Sequence, residues 1–171
     1  RIEISGEADP LAVFLRLREL NPTPYAAYLR LGGRAIACTS PEQFLRVSSA
    51  GRVSTKPIKG TRKRSEDAVE DAALAKELAA DPKERAENLM IVDLMRNDIG
   101  KVCEPGSVEV KKLFDVETYK TVHQLVSTVT GQLSSDASAL DAVLAAFPGG
   151  SMTGAPKQRA MEIITELEKS S

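Results

Sequence analysis

The chain has 171 residues, of which 42% are hydrophobic and 27% are charged, and its formal net charge is -1. This composition is typical of a globular domain and excludes a disordered or fibrous chain. Because acidic and basic residues are interspersed, no positive field favours nucleic acid or an anionic membrane. No apolar run reaches the roughly 20 residues of a bilayer-spanning helix. We therefore expect a cytoplasmic protein, or a plastid one in a plant.

The pattern predicts helices and strands in mixed order. A helix over Asp9 to Leu20 precedes two hairpins, residues 25–31 with 34–39 around Gly32-Gly33 and residues 44–48 with 52–56 around Ala50-Gly51. Further helices are predicted over residues 65–80, capped by Ser65, and over residues 83–99, 138–147 and from Pro156 onwards; residues 108–114 and 121–133 read as strands. The fold class is α/β (α+β), a mixed or antiparallel β-sheet sandwich with helices packed outside.

The ends and the cysteines complete the domain prediction. The chain begins with Arg1 rather than Met, and we expect residues 1–171 to be one partial domain, truncated at both ends. Cys38 and Cys103 are far apart in sequence and form no Cys-x-x-Cys pair. We expect both thiols to be reduced and structural.

Residues 57–62, Pro-Ile-Lys-Gly-Thr-Arg, predict a shaped loop that presents the amine of Lys59. Pro57 restricts the backbone before it, and Gly60 can adopt angles closed to other residues. A solvated surface lysine is the alternative from these residues alone. Glu42 precedes the hairpin that leads to Lys59, so an acid and an amine could share proton donation and nucleophilic attack. Taken alone, Glu42 is also an ordinary turn residue.

Two further features could bind ligands. Glu84 and Glu87 lie one turn apart on a predicted helix, where two carboxylates can share a hard cation such as Mg²⁺ or form a solvated face. Residues 147–157 form a glycine-bearing loop before a helix N-terminus, which favours a carboxylate or phosphate ligand; an ordinary loop capped by Thr153 is the alternative. The loop lacks the spacing of a nucleotide-binding motif.

These motifs occur in one order along the chain: Ser40-Pro41-Glu42, residues 57–62, residues 87–94 with Arg96-Asn97-Asp98, Leu125-Val126-Ser127, and residues 147–157. Together they resemble the chorismate-utilising enzymes, a family that includes anthranilate, aminodeoxychorismate, isochorismate and salicylate synthases. Lysine at position 59 is typical of the aminodeoxychorismate synthases, whereas anthranilate synthases carry alanine there. The resemblance implies Mg²⁺-dependent amination of chorismate to 4-amino-4-deoxychorismate, for 4-aminobenzoate and folate synthesis, with ammonia from a glutamine amidotransferase subunit or fused domain.

The resemblance also implies a role for each site residue. Lys59 would be the nucleophile and Glu42 the general acid, while Glu87 and Glu84 would serve the Mg²⁺ site. Chorismate would contact the following residues: Gly60, Thr61, Gly150 and Ser151. An amine nucleophile must be unprotonated, which burial beside a cation such as Arg62 would favour.

One position departs from the family pattern. Anthranilate synthases place an active-site histidine directly before Leu-Val-Ser, but here that position is Gln124. His123 is one residue earlier, on the opposite face of the strand, and we do not assign it a catalytic role. The family's domain continues beyond Ser171, so we expect the chain alone to bind Mg²⁺ weakly and to be inactive.

Two alternatives stay open. Anthranilate synthase component I, or an isochorismate- or salicylate-forming relative, is the alternative enzyme. Lysine at position 59 argues against anthranilate synthase, which carries alanine there. A non-catalytic regulatory or scaffolding homologue is the alternative from another class. The joint presence of Lys59, Glu42, Glu84 and Glu87 favours catalysis.

Overall fold

The computed structural model describes residues 6–168 of the chain, which divides into two compact units. The first unit comprises residues 1–42 and the second comprises residues 43–171. Within the described residues, no helix is both long enough and apolar enough to cross a bilayer.

The first unit is one helix and one hairpin. Helix α1 (Pro10–Leu20) begins at Asp9, whose carboxylate accepts a hydrogen bond from the Leu11 N–H group at 3.0 Å. Strands β1 (Tyr25–Leu31) and β2 (Arg34–Ser40) pair antiparallel. Both turn glycines have positive φ angles, as a two-residue turn of this kind requires. The predicted helix and hairpin are confirmed.

The second unit contains a five-stranded antiparallel sheet. Its strands are β3 (Gln43–Val47), β4 (Arg52–Lys56), β5 (Ile58–Lys63), β6 (Glu109–Thr118) and β7 (Val122–Gln132). Strand β7 lies at the centre: β4 and β5 follow one another along one edge of it, and β6 pairs with its other edge. The predicted mixed α/β class with antiparallel sheets is thereby confirmed.

Two helices pack against this sheet, α2 (Ala68–Ala80) and α3 (Pro82–Gly100). Residues 123–127 of β7 are buried on both faces of the strand. Ser127 contacts Asn88 of α3, and Val129 belongs to the same core cluster as Val92 and Ile99 of that helix. Helix α2 begins at Asp67, not at Ser65 as predicted, because the Asp67 carboxylate accepts hydrogen bonds from two backbone N–H groups of the first turn.

The buried face of α3 differs from the apolar stripe that helical spacing predicts, which is formed by Leu89, Val92 and Met95 or by Met90 and Leu94. Val92 and Met95 are buried as expected, but Leu89 is 50% exposed and Met90 is 43% exposed. The other buried positions of this helix are Asn88, Ile91, Asp98 and Ile99. Polar residues at both ends of the stripe are buried because they find tertiary partners, which hydropathy alone does not show.

Three helices complete the second unit. Helix α4 (Ala139–Ala146) begins at Ser138, where Ser138 and Asp141 form a capping box. A short helix α5 (Gly150–Thr153) lies within the predicted glycine loop, and α6 (Lys157–Leu167) begins after Pro156, as expected. Thr153 does not cap α6; its hydroxyl donates instead to the Gly154 carbonyl at 3.3 Å.

Both cysteines are free thiols, as predicted. Cys103 belongs to the main hydrophobic core of the second unit, and burial raises the pKa of its thiol. A raised pKa favours the unreactive thiol form, in keeping with a structural role.

Candidate active site

Lys59 lies on a strand, not in the loop that the sequence predicts. Pro57 has no N–H group and separates β4 from β5, but its carbonyl accepts a hydrogen bond from the Ser127 N–H group at 3.1 Å. Beyond Pro57, the chain pairs again with β7. The pairing advances by three residues from Ile58 to Thr61 while β7 advances by two, so the strand carries a bulge around Lys59 and Gly60.

A buried amide anchors this strand to α3. The side chain of Asn88 is fully buried and donates to the Leu125 carbonyl at 3.2 Å and to the Pro57 carbonyl at 3.5 Å. Its oxygen accepts a hydrogen bond from the Ser127 hydroxyl at 2.5 Å. These bonds fix the backbone two residues before Lys59, and they explain a polar residue within an apolar stretch of the helix.

Gly60 allows α3 to approach the strand closely. Its φ angle is +89°, and a Cβ atom there would lie 3.0 Å from Glu84 Cβ, Glu84 Oε2 and Leu78 Cδ1. Any other residue would therefore combine backbone strain with steric overlap. The Glu84 carboxylate consequently lies directly against the residue that follows Lys59.

The amine of Lys59 contacts the segment of residues 147–157. Its Nζ atom donates a hydrogen bond to the Ser151 carbonyl at 3.3 Å, and the side chain is partly buried. Ser151 lies on α5, so a nonlocal segment receives the amine. The structure thus brings together two of the predicted site residues, Lys59 and Ser151.

Arg62 is surrounded by carboxylates. Its guanidinium donates to Glu77 at 2.9 Å and to Asp81 at 2.8 Å, and lies 3.7 Å from Glu84 Oε1. The bond to Glu77, followed by that to Asp81, raises the pKa of Arg62 above its usual value. Arg62 therefore stays protonated with three carboxylates around it, and its action as a cationic neighbour of Lys59 stays a prediction.

The two predicted metal ligands form part of a cation site at most. The Glu84 side chain is 18% exposed and faces Arg62, while Glu87 is 45% exposed and lies 3.8 Å from Lys83 Nζ. Carboxylate oxygens suit Mg²⁺, but two carboxylates fill only part of its shell of about six oxygens. Within residues 6–168, no group of three His, Cys, Asp or Glu side chains is arranged to hold a metal ion.

Glu42 is the last residue of the first unit. Its backbone N–H group donates to the Ser40 hydroxyl at 3.1 Å, which gives the Ser-Pro-Glu motif a local turn. In the second unit, Gln43 pairs with Lys56, three residues before Lys59. The hairpin therefore folds back as expected, and the joint action of Glu42 and Lys59 stays a prediction.

The remaining predicted substrate residues are Thr61 and Gly150. Thr61 is exposed on β5 and pairs with Gln124 of β7. Gly150 is buried, and a Cβ atom there would lie 2.6 Å from Leu94 Cδ2. Close packing on α3 thus accounts for this glycine, and its contact with a substrate stays a prediction.

His123 is a buried structural histidine. Its side chain is 3% exposed, with Nε2 at 3.0 Å from Asp71 Oδ1 and Nδ1 at 2.9 Å from the Thr118 hydroxyl. The Arg64 guanidinium, with the Ser65 N–H group, holds the pKa of the Asp71 carboxyl well below its usual range. Asp71 is therefore ionised and accepts a hydrogen bond from the Nε2–H group of His123. The imidazole thus joins α2 to β6 and β7.

Gln124, the next residue, is also buried at 8% exposure. Its Oε1 atom has no hydrogen-bond partner among the described residues. A buried acceptor of this kind is open to a donor from a water or a ligand.

Two functional features escape reasoning from the sequence. One is the Asn88 amide described above, and the other is a buried ion pair between Asp98 and Lys157. All three residues lie within the ordered motifs, but their polar side chains would be placed at the surface by composition alone. The position inside a motif is the only signal that could have identified them.

The amino-acid sequence was compared with protein families and with known proteins. Residues 1–171 match a family described as chorismate binding enzyme. An aminodeoxychorismate synthase of Streptomyces pristinaespiralis is 56% identical over 168 residues, which are 98% of this chain and 23% of that protein. An aminodeoxychorismate synthase component 1 of Salmonella typhimurium is 54% identical over 98% of this chain and 37% of its own length.

A solved structure extends the comparison to the fold. The anthranilate synthase component I of Streptococcus pneumoniae superposes with a TM-score of 0.81 at 42% identity, over 95% of this chain and 35% of that one. The chain spans between a fifth and two fifths of the relatives that it matches. Because the family match covers all 171 residues, the chain belongs to the family of chorismate-binding enzymes.

Proposed function

We propose that the protein containing this chain aminates chorismate to 4-amino-4-deoxychorismate. The observation that carries this proposal is the amine of Lys59, partly buried on a bulged strand and directed to the Ser151 carbonyl at 3.3 Å. Two relatives more than half identical are named aminodeoxychorismate synthase. The product would serve the synthesis of 4-aminobenzoate and folate, and the cytoplasm is its expected location.

The chemistry assigned to Lys59 is a double displacement. The neutral amine attacks the ring of chorismate and forms a carbon–nitrogen bond, while the C4–oxygen bond breaks and the hydroxyl leaves as water with a proton from Glu42. Ammonia then forms a bond with C4, and the Lys59 nitrogen leaves with the bonding electron pair. The excess proton of the incoming ammonia returns to the carboxylate of Glu42, so the net reaction exchanges a hydroxyl for an amino group and releases water.

Hydrogen bonding to Ser151 suits this role. An amine that donates one N–H to a fixed carbonyl has fewer orientations available, which lowers the entropic cost of reaching an attacking geometry. Gly60 contributes by allowing the carboxylate of Glu84 to lie next to the same strand. Thr61 and Gly150 would complete the contacts to chorismate.

Mg²⁺ and a source of ammonia belong to the same proposal. Glu84 and Glu87 would hold Mg²⁺ together with oxygen ligands from outside the described residues, and the ion would neutralise a substrate carboxylate. Ammonia would come from a glutamine amidotransferase, as a separate subunit or a fused domain. The name component 1 of the Salmonella relative is in keeping with a second component.

The decisive experiment uses the protein at its full encoded length. After incubation with chorismate without an ammonia source, intact-mass spectrometry should detect a covalent adduct that Lys59→Ala abolishes. Lys63→Ala is the matched control, because Lys63 is an exposed lysine on the same strand, and it should retain the adduct. An adduct that persists in Lys59→Ala would show that the nucleophile is another residue.

Anthranilate synthesis is the second candidate, favoured by the similarity to the Streptococcus pneumoniae structure. Both reactions use chorismate and ammonia but place the amino group on different ring carbons. Chromatography of the products separates anthranilate from 4-amino-4-deoxychorismate. Anthranilate as the main product would overturn the proposed regiochemistry.

A further inference from the structure

A buried ion pair joins α3 to the C-terminal end of residues 147–157, the segment whose Ser151 carbonyl accepts a hydrogen bond from Lys59. Asp98, at the end of α3, is 2% exposed, and Lys157, at the start of α6, is 14% exposed. Their side chains form a hydrogen-bonded ion pair. Removing Asp98 would leave the largely buried ammonium of Lys157 without a carboxylate partner, so the pair holds the two helix ends together.

Lys157 also links the two ends of this segment to each other. Its Nζ atom donates a second hydrogen bond to the Ala146 carbonyl at 3.0 Å. Ala146 is the last residue of α4, so one ammonium group joins the beginning and the end of the segment that lies between α4 and α6. Within the segment, Gly150 packs directly on Leu94 of α3. The segment is thus attached to α3 at its base and at its middle.

Ser151 follows this packed glycine and presents its carbonyl to Lys59. The direction of that carbonyl depends on how the segment is seated, because the bond to Lys59 is made by the backbone and not by a side chain. We propose that Asp98 and Lys157 are positioning residues, which act through the segment to orient the Lys59 amine. The proposal rests on the proposed function in one respect, that Lys59 is the reacting amine.

Lys101 provides a matched control for this idea. It is a second lysine bound to Asp98, with its Nζ atom 3.1 Å from Oδ1, but its side chain is 55% exposed and it belongs to the end of α3. Lys157→Met and Lys101→Met each remove one ammonium partner of the same carboxylate. Only Lys157→Met removes the attachment of the segment to Asp98 of α3, whereas the packing of Gly150 on Leu94 is left in both variants.

A double variant separates positioning from stability. Asp98→Asn combined with Lys157→Met removes both charges, so no uncompensated buried charge is left and much of the lost stability should return. If the pair acts only through stability, every other property should return as well. If it seats the segment, the orientation of Lys59 stays altered in a fully folded protein.

The experiment is competitive acetylation of the full-length protein with acetic anhydride, with the labelling of Lys59 measured relative to Lys63 by peptide mass spectrometry. We expect the ratio to rise about fivefold in Lys157→Met and in the double variant, the equivalent of one lost hydrogen bond, and to stay unchanged in Lys101→Met. The kcat for amination should fall about tenfold or more in the same two variants.

Three outcomes would overturn the proposal: an unchanged ratio in Lys157→Met, an equal change in Lys101→Met, or a ratio that returns to the wild-type value together with the melting temperature in the double variant. Thermal unfolding of each variant is measured alongside, and labelling is done well below the melting temperature. If the wild-type protein forms no 4-amino-4-deoxychorismate, the proposed function fails, while the labelling ratio still decides whether the ion pair orients Lys59.

Discussion

Replacing Gly60 by alanine should destabilise the second unit more than the same replacement of Gly106, a glycine with a comparable backbone angle. The φ angle of +89° places the residue in the left-handed region, and the added Cβ atom would meet three atoms at 3.0 Å. Two of these atoms belong to Glu84 and one to Leu78, which is fully buried. Leu78 and the Cβ of Glu84 cannot move aside easily, because both are fixed to packed helices.

The magnitude follows from two costs and one gain. A left-handed conformation costs an alanine about 1 to 2 kcal/mol, and overpacking of this kind adds about 1 to 3 kcal/mol. The lower entropy of the unfolded chain returns about 0.5 to 1 kcal/mol. The free energy of unfolding should therefore fall by about 1 to 4.5 kcal/mol in Gly60→Ala.

Gly106→Ala isolates the steric part of this cost. Gly106 has a φ angle of +79°, lies in the same unit, and has no atom within 4 Å of the added Cβ position. Its substitution should cost about 1 kcal/mol, from the backbone alone. Urea unfolding followed by circular dichroism measures both variants. If Gly60→Ala is no more destabilising than Gly106→Ala, the close approach of Glu84 and Leu78 to the strand is not real.

Two further substitutions test the buried polar contacts. Asp71→Asn should destabilise the protein at pH 7, because folding lowers the pKa of the Asp71 carboxyl, chiefly through Arg64. The ionised carboxylate therefore stabilises the fold above the ordinary aspartate range, and this contribution is lost as pH falls below about 4. Urea midpoints of wild type and variant should thus converge at acidic pH, and a difference that persists unchanged at pH 3 would contradict this assignment. Asn88→Ala should cost about 2 to 4 kcal/mol, because the Pro57 and Leu125 carbonyls lose a donor and a cavity remains; Asp93→Ala, at an exposed position of the same helix, should cost less than about 0.5 kcal/mol.

Local signals in the sequence were sufficient for most elements. The Asp9 cap, the Gly-Gly turn and the Ser138 cap act within a few residues, so their effect on the backbone can be predicted from the chain itself. The Thr and Val residues throughout residues 121–133 likewise predicted β7. Each of these features is decided by neighbours in sequence.

Features that depend on distant partners could not be predicted in the same way. Pro57 and Gly60 read as a loop, because nothing near them shows that β7 supplies hydrogen bonds on both sides of the proline. The ion pairs of Arg62 could not be predicted either, because its carboxylate partners lie on α2 and at the junction of α2 and α3, further along the chain. The buried face of α3 was misplaced for the same reason, since Asn88 is buried only by virtue of its bonds to two strands.

The ordered motifs have a common structural meaning in the second unit. Three of them each contribute one contact that fixes the strand of Lys59. Asn88 and the backbone N–H group of Ser127 both donate hydrogen bonds to the Pro57 carbonyl. The Ser151 carbonyl accepts a hydrogen bond from the Lys59 amine. The ion pair of Asp98 and Lys157 then joins the motif that contains Asn88 to the motif that contains Ser151. A lysine that served only as a solvated surface charge would need none of these contacts, since a flexible ammonium is stabilised by water alone. Three distant segments instead converge on one short strand, and this convergence is the physical reason to regard Lys59 as the group around which the second unit is organised.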